Sequence, residues 1–189
     1  MISIDLINEI LHWVCLYILL WYAYILIVNK GTPNITTAPA IRKKIIEILK
    51  QDADQKGKTR YTIIDMGCGN GAFVRQMAKN IPNSHVIGLE IDPVAYGKAI
   101  AGKKVSGLEN IEYVKGSFYD YDLSQADAIT LFHLGSSMPE LREKISKELP
   151  QGAMIAANRF PLGGDFEPTQ ILDVKTLAPN QKELYIYKV

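Results

Sequence analysis

The chain has 189 residues, of which 48% are hydrophobic and 22% charged, and its formal net charge is +1 at pH 7. This length suits one globular domain with a short appendage, and the composition excludes a disordered, collagen-like or coiled-coil protein. Proteins that bind nucleic acid in bulk normally carry a basic face, so no nucleic-acid partner is expected. Two cysteines are too few for a disulfide framework or a zinc site, and no metal site is predicted.

The N-terminal segment predicts a helix that spans a membrane. Between Ile10 and Val28 there are nineteen residues, and His12 is the only strongly polar one. A helix of that length rises about 28 Å, close to the roughly 30 Å of hydrocarbon in a bilayer. A cleaved signal peptide would have a positive start and a shorter apolar core, whereas residues 1–9 are acidic. We therefore expect a transmembrane anchor over residues 1–30.

Basic residues follow this span, and none precedes it. Lys30, Arg42, Lys43 and Lys44 all lie on its C-terminal side. The positive-inside rule therefore places residues 29–189 in the cytoplasm, or on the matrix side if the protein is mitochondrial. The lipid bilayer is the first expected partner.

A linker region over residues 31–57 follows the anchor. It begins with the helix breakers Pro33 and Pro39. Apolar residues then recur at helical spacing from Ile41 to Leu49, which predicts an amphipathic helix with a basic outer side.

Residues 58–189 predict one α/β domain in which strands and helices alternate, the pattern of a mostly parallel sheet with helices on both faces. The predicted strands are 61–65, 86–89, 111–114, 128–132 and 153–157, and the predicted helices are 72–79, 94–105 and 140–149. The chain between the fifth strand and residue 171 is short and rich in Pro and Gly, so no helix fits there. Strands 171–174 and 184–187 are therefore expected to close the sheet as an antiparallel pair.

A glycine loop, Asp65-Met66-Gly67-Cys68-Gly69-Asn70-Gly71, lies between the first strand of this domain and the next helix. An open α/β sheet binds its ligand at such a loop. The glycines allow a sharp turn and a close approach of the backbone, and the helix N-terminus offers free N–H groups. Glu90 ends the second strand, where a carboxylate can accept hydrogen bonds from both hydroxyls of a ribose. Asn70 and Asp92 are further candidate cofactor ligands.

Two cofactors compete for this arrangement. Gly67, Gly69 and Ala72 satisfy the dinucleotide pattern G-x-G-x-x-G/A, which is weak evidence by itself. Asp65 decides against a dinucleotide, because its carboxylate would repel a pyrophosphate and attract the ammonium of a methionyl group. The residues therefore favour S-adenosylmethionine.

The pattern Asp65-x-Gly67-x-Gly69-x-Gly71, with Glu90 downstream, resembles the cofactor site of class I S-adenosylmethionine-dependent methyltransferases. The resemblance covers roughly residues 60–189 and implies a Rossmann-like fold. It also implies that the segment after the third strand, with Ser117 and Phe118, lies against the adenine. Many relatives have Asp where Ser117 stands.

A narrower resemblance extends over more of the chain. An N-terminal span and the segment 33–37 (PNITT) are similar to the membrane-anchored lysine methyltransferases that modify the ATP synthase c-subunit and the adenine nucleotide translocase. Segments 137–141 (SMPEL), 148–153 (ELPQGA) and 158–161 (NRFP) also resemble that family. The resemblance implies a protein-lysine methyltransferase. The chain departs from the family at His133 and at residues 163–165.

The acceptor is expected at the end of the fourth strand, and three residues there are candidate catalytic groups. His133 is the only obvious titratable base, although a structural histidine fits equally well. Glu140 would orient an incoming ammonium or would only favour the start of its helix. Arg159 would bind a carboxylate or would form a structural ion pair. A dedicated base is not required, because burial alone lowers the pKa of a lysine.

Three functions remain open at this stage. The first is methylation of a lysine in a small integral membrane protein, which would be the protein partner. The second is methylation of a lipid or a quinone-like small molecule. The third is a cofactor-binding module that has lost transfer activity.

Overall fold

A computed structural model describes residues 3–28, 35–178 and 180–189. The chain divides into two compact units, one ending at Ile35 and one running from Thr36 to Val189. Lys30, which entered the orientation argument, lies outside the described residues, as do Pro33 and Asn34 of the 33–37 segment.

The first unit contains helix α1, Ile4–Val28, which begins six residues earlier than predicted. Its stretch Ile4–Tyr24 has a mean hydropathy of 1.5 and is long and apolar enough to cross a membrane. This is a criterion of length and composition, and the helix is compatible with a single-pass anchor.

The second unit is built around one seven-stranded sheet in the order β3-β2-β1-β4-β5-β7-β6. Strands β1 to β5 are parallel, and β7 runs antiparallel to both β5 and β6. The predicted mostly parallel α/β sheet with a closing antiparallel pair is confirmed. In chain order the elements are α2 (Pro39–Lys56), β1 (Tyr61–Met66), α3 (Ala72–Asn80), β2 (Ser84–Glu90), α4 (Pro93–Ser106), β3 (Ile111–Lys115), β4 (Ala128–Leu131), α5 (Met138–Glu148), β5 (Met154–Asn158), β6 (Gln170–Asp173) and β7 (Glu183–Lys188).

The sheet is covered on both faces because its central strands are apolar at consecutive positions. Successive residues of a strand point to opposite faces. Ile63 packs in one core cluster with Leu49 of α2, and Ile64 packs in the other with Leu141 of α5. All four side chains are at most 1% exposed, and burying each contributes about 1.5–3 kcal/mol.

Helix α2 is held in this unit by both apolar and polar contacts. Its residues Ile41 and Leu49 are fully buried. At its start, the Ala38 N–H donates to the Gln181 side-chain oxygen at 2.7 Å, and the Gln181 amide donates to the Thr36 carbonyl at 3.2 Å. The segment that precedes α2 is therefore fixed to the chain just before β7.

The strand order reverses beside β1, which has β2 on one side and β4 on the other. In open α/β sheets such a switch point opens a crevice at the carboxyl ends of the strands. The glycine loop after β1, the acidic end of β2 and the segment after β4 therefore meet at one edge.

Candidate active site

The loop between β1 and α3 is a succession of glycine turns. Gly67, Gly69 and Gly71 have φ values of 92°, 56° and 70°. This left-handed region is costly for residues that carry a Cβ. The N–H groups of Gly67 and Cys68 both donate to the Leu89 carbonyl, at 3.0 and 2.8 Å, which joins the loop to the end of β2.

Neighbouring side chains also require glycine in this loop. A Cβ on Gly71 would overlap the hydroxyl of Tyr113, which donates to the Gly71 carbonyl at 3.0 Å. A Cβ on Gly67 would lie 3.2 Å from Cε1 of His133. The chain therefore has little room for any other residue at these turns.

Asn70 supports the turn into α3. Its Oδ1 accepts a hydrogen bond from the Ala72 N–H at 3.1 Å, and its carbonyl accepts one from Arg75 at 3.0 Å. These two hydrogen bonds give Asn70 a structural role at the start of α3. Its predicted contact with the cofactor stays a prediction.

Glu90 is a buried carboxylate at the end of β2 that already holds two backbone groups. Its Oε2 accepts from the Gly69 N–H at 2.6 Å and its Oε1 from the Asp92 N–H at 2.8 Å. Burial raises the pKa of Glu90, and these two hydrogen bonds oppose the increase. A carboxylate offers about four acceptor positions, so it retains capacity for the hydroxyls of a ribose.

Asp92 serves as the N-cap of α4. Its Oδ1 accepts from the N–H groups of Val94 at 2.7 Å and Ala95 at 3.0 Å. Aspartate is among the preferred residues at such a position because it satisfies N–H groups that have no partner within the helix. The predicted cofactor contact of Asp92 stays a prediction beside this structural role.

Asp65 lies at the end of β1, 7% exposed, and no ion pair neutralises it among the described residues. Its Oδ1 accepts a hydrogen bond from the Thr130 hydroxyl at 2.7 Å. Burial raises the pKa of Asp65 to about 6, while Thr130 and the charge of Arg42 oppose the increase. Thr130 was not among the predicted site residues, although it is the one hydroxyl in the otherwise apolar strand β4.

Ser117 and Phe118 follow β3, as predicted for residues beside the adenine. The Ser117 hydroxyl accepts from the Tyr119 N–H at 3.2 Å. The Phe118 ring lies 4.5 Å from the His133 ring and 4.4 Å from the Tyr119 ring, centre to centre. The structure thus brings Phe118 and His133 together, and their roles toward a ligand stay predictions.

His133 is buried and packs against the Phe118 ring. Its Nε2 lies 2.6 Å from the Met66 carbonyl, and since a carbonyl only accepts, Nε2 carries the proton. Burial lowers the pKa of His133 to about 4, so the ring is neutral at physiological pH. This geometry favours a structural role over general-base catalysis.

Glu140 and Arg159 are the other two candidate catalytic residues. Glu140 is exposed in the first turn of α5, and burial and then the charge of Glu140 raise the pKa of Tyr119 to about 12. Arg159 has φ 71°, and its guanidinium lies 4.7 Å from the centre of the Phe160 ring. In the described part of the chain no hydrogen bond or ion pair links Arg159 to Glu140 or His133.

This sheet, its glycine loop and the two buried carboxylates define a class I S-adenosylmethionine-dependent methyltransferase. The family model of the ANTKMT methyltransferase domain matches residues 65–170, more than half of the chain. The chain belongs to this family.

Curated relatives and solved structures agree with that class. The chain is 27% identical over 158 residues to the protein-lysine N-methyltransferase of Saccharolobus islandicus (strain REY15A), covering 83% of this chain and 93% of the relative. It is 31% identical over 113 residues to ribosomal RNA small subunit methyltransferase H of Prochlorococcus marinus (strain NATL1A), covering 60% of this chain and 36% of that protein. The structure of an RNA methyltransferase from Salinibacter ruber with S-adenosyl-L-homocysteine superposes with a TM-score of 0.71 at 24% identity, covering 82% and 94% of the chains, which shows a shared fold.

The residues at this edge fit S-adenosylmethionine. Asp65 is a buried carboxylate that forms no ion pair in the described part of the chain and suits the methionyl ammonium, and Glu90 suits the ribose. The left-handed turn at Gly69, whose N–H is bonded to Glu90, lets the backbone lie close to the cofactor. The described residues contain no group of three His, Cys, Asp or Glu that would hold a metal ion.

Proposed function

We propose that this chain is a membrane-anchored protein-lysine methyltransferase that modifies a small integral membrane protein. The protein-lysine N-methyltransferase relative carries the choice of acceptor, because the match covers 93% of that protein. The anchor and the groups beside Glu140 support the remaining parts of the proposal.

Helix α1 supports the anchor. None of its most apolar window is buried within the molecule, and large side chains such as Trp13 and Leu19 are 60% and 66% exposed. In water this surface would be a large apolar patch, whereas a bilayer would cover it. The basic residues after the helix then favour a cytoplasmic or matrix-side catalytic unit.

The acceptor side offers groups suited to a lysine. Glu140 supplies an exposed carboxylate that would attract an ammonium, and its charge reaches the neighbouring Tyr119. The half-buried rings of Phe118 and Phe160 would surround the amine with apolar surface. Burial of this kind lowers the pKa of a lysine and favours the neutral amine that attacks.

The chain's own residues then act mainly by alignment. Bound S-adenosylmethionine supplies a methyl group on an electrophilic sulfonium. Asp65 and Glu90 would fix the two ends of the cofactor, and Glu140 would direct the amine. Orientation can supply several kcal/mol toward such an in-line transfer, on the order of 7 or more in favourable systems. Because His133 is neutral and its Nε2 proton is bonded to Met66, the amine proton would leave to water.

The anchor would also select the substrate. A catalytic unit tied to the bilayer by a short linker meets membrane-bound acceptors at a high effective concentration. A lysine near the membrane surface in a small proteolipid is therefore the best candidate, and the ATP synthase c-subunit is the first to test.

The test uses membranes from cells that lack the gene, incubated with the purified full-length enzyme and methyl-labelled S-adenosylmethionine. Label is expected in a small proteolipid band, and acid hydrolysis should release methylated lysine. Glu140→Gln should reduce the labelling, whereas Glu143→Gln on the same helix should not, because Glu143 is exposed and paired with Lys147.

Two outcomes would replace this proposal. Label that extracts with lipid and leaves the protein fraction blank would establish the lipid or quinone-like acceptor. No label in any fraction, from a protein that binds S-adenosylhomocysteine, would establish a non-catalytic cofactor-binding module.

A further inference from the structure

Lys43 and Lys50 of α2 are exposed, as the predicted basic outer side requires, whereas Lys44 and Lys56 are half-buried and form ion pairs with Glu47 and Asp52. Arg42, in the first turns of this helix, is also half-buried. Its Nε is enclosed and has no hydrogen-bond partner. A buried N–H without a partner destabilises the ligand-free protein, so movement of the side chain onto an acceptor would be favourable.

The packing of α2 directs Arg42 toward the cofactor loop. Ile41 and Ile45 are buried against the sheet, which places Arg42 at the margin of the buried stripe. Its guanidinium carbon lies 5.9 Å from the ring centre of Phe73, which is in the first turn of α3. That turn directly follows Gly71. Arg42 therefore lies over the end of the glycine loop.

Arg42 also interacts with Asp65 through charge. The charge of Arg42 opposes the rise in the pKa of Asp65, and the charge of Asp65 opposes the fall in the pKa of Arg42 that burial causes. The two residues nevertheless form no ion pair within 4.0 Å. The Asp65 carboxylate and the Arg42 guanidinium are thus close enough for their charges to interact, but they do not form an ion pair.

We propose that Arg42 binds the carboxylate of the methionyl group while Asp65 accepts its ammonium, so that α2 completes the cofactor site. A zwitterionic amino acid matches two opposite charges held apart. The guanidinium fork matches a carboxylate. The Gln181 contacts to Thr36 and Ala38 hold the start of α2 in place and preorganise Arg42 for this role.

The test compares three ligands by calorimetry on the full-length chain in lipid nanodiscs. S-adenosylhomocysteine carries both methionyl charges, decarboxylated S-adenosylmethionine lacks the carboxylate, and 5′-methylthioadenosine lacks both groups. Arg42→Ala should lower the affinity for S-adenosylhomocysteine by about tenfold to a hundredfold, the effect expected when a hydrogen bond to a charged group is lost. It should change the affinities of the other two ligands by less than about twofold.

Three variants complete the pattern. Arg42→Lys keeps the charge and loses the fork, so its affinity for S-adenosylhomocysteine should be intermediate. Asp65→Asn should lower the affinity for both ligands that carry the ammonium and leave the affinity for 5′-methylthioadenosine unchanged. Lys43→Ala is the matched control, because Lys43 is the exposed neighbour on the same helix, and it should change none of the three affinities.

Equal weakening of all three ligands by Arg42→Ala would mean that the residue supports the fold, and would overturn the proposal. An unchanged affinity for S-adenosylhomocysteine would overturn it as well. The inference depends on the cofactor and is independent of the acceptor, so the identity of the methylated product does not affect it.

Discussion

Replacing Asp65 with Asn should stabilise the folded protein and lower its affinity for the cofactor. Folding raises the pKa of Asp65 from its ordinary 3.8 to about 6, because burial of the carboxyl outweighs the opposing effects of Thr130 and the Arg42 charge. Ionisation of this group therefore destabilises the folded state. The stability linked to the neutral carboxyl is fully present below pH 3.8 and is lost as the pH rises through 6.

The magnitude follows from the two pKa values. Their separation corresponds to about 3 kcal/mol of unfolding free energy at pH 8 and to about half of that at pH 5. Asn keeps an oxygen that accepts the Thr130 hydrogen bond and cannot ionise. For a unit of this size 1 kcal/mol shifts Tm by about 2–4 °C, so Asp65→Asn should raise Tm by roughly 6–12 °C at pH 8.

The assay is thermal unfolding of the full-length chain in detergent micelles at pH 5 and pH 8, followed by near-ultraviolet circular dichroism. Asp54→Asn, an exposed change on α2, is the control and should leave Tm unaltered. A variant Asp65→Asn that melts below the unmodified chain at pH 8 would refute the argument.

The same ionisation should control cofactor affinity. A methionyl ammonium binds the charged form of Asp65, so the affinity for S-adenosylhomocysteine should rise about tenfold from pH 5 to pH 7. The affinity of Asp65→Asn should be weaker and constant over this range. An affinity of the unmodified chain that does not change with pH would show that Asp65 does not face the ammonium.

Three further predictions concern other parts of the chain. Glu90→Ala should weaken the binding of S-adenosylhomocysteine and of 5′-methylthioadenosine equally, by about 1–3 kcal/mol in calorimetry, because both ligands contain the ribose. Weaker binding of only one of them would contradict the ribose assignment. Gly71→Ala should lower the unfolding free energy by about 1–3 kcal/mol in urea, because its Cβ would overlap Tyr113 at a φ of 70°; an unchanged midpoint would be inconsistent with this packing. Deleting residues 1–35 should move the protein from the membrane pellet to the supernatant after alkaline carbonate; release of the full-length chain under the same treatment would argue against the anchor.

The sequence predicted the sheet and its glycine loop well because the information there is local. Glycine is favoured at the three left-handed turns of the loop, and Asp65 and Glu90, which are among the last residues of their strands, have their carboxylates at the carboxyl edge of a parallel sheet. Alternation of strands and helices then fixed the parallel arrangement, since each crossover must return to the same edge.

The roles of Asp92 and His133 could not be read in the same way. A short acidic motif does not reveal whether a carboxylate will bind a ligand or cap a helix, and only the backbone after β2 directs Asp92 to the N–H groups of α4. His133 has its proton bonded to Met66, a residue 67 positions earlier in the chain. That contact exists only because β4 lies beside β1.

The amino-acid sequence by itself determined the α/β class, the glycine loop, the two acidic residues and the apolar N-terminal helix, because each depends on residue type and short-range spacing. The tertiary structure decided which side chains face one another. Helical periodicity predicted a basic outer side for α2, but the packing of that helix against the sheet brings Arg42 beside Phe73 and close enough to Asp65 for their charges to interact. Burial and charge at that edge arise from segments far apart in the chain, and only the folded molecule brings them together.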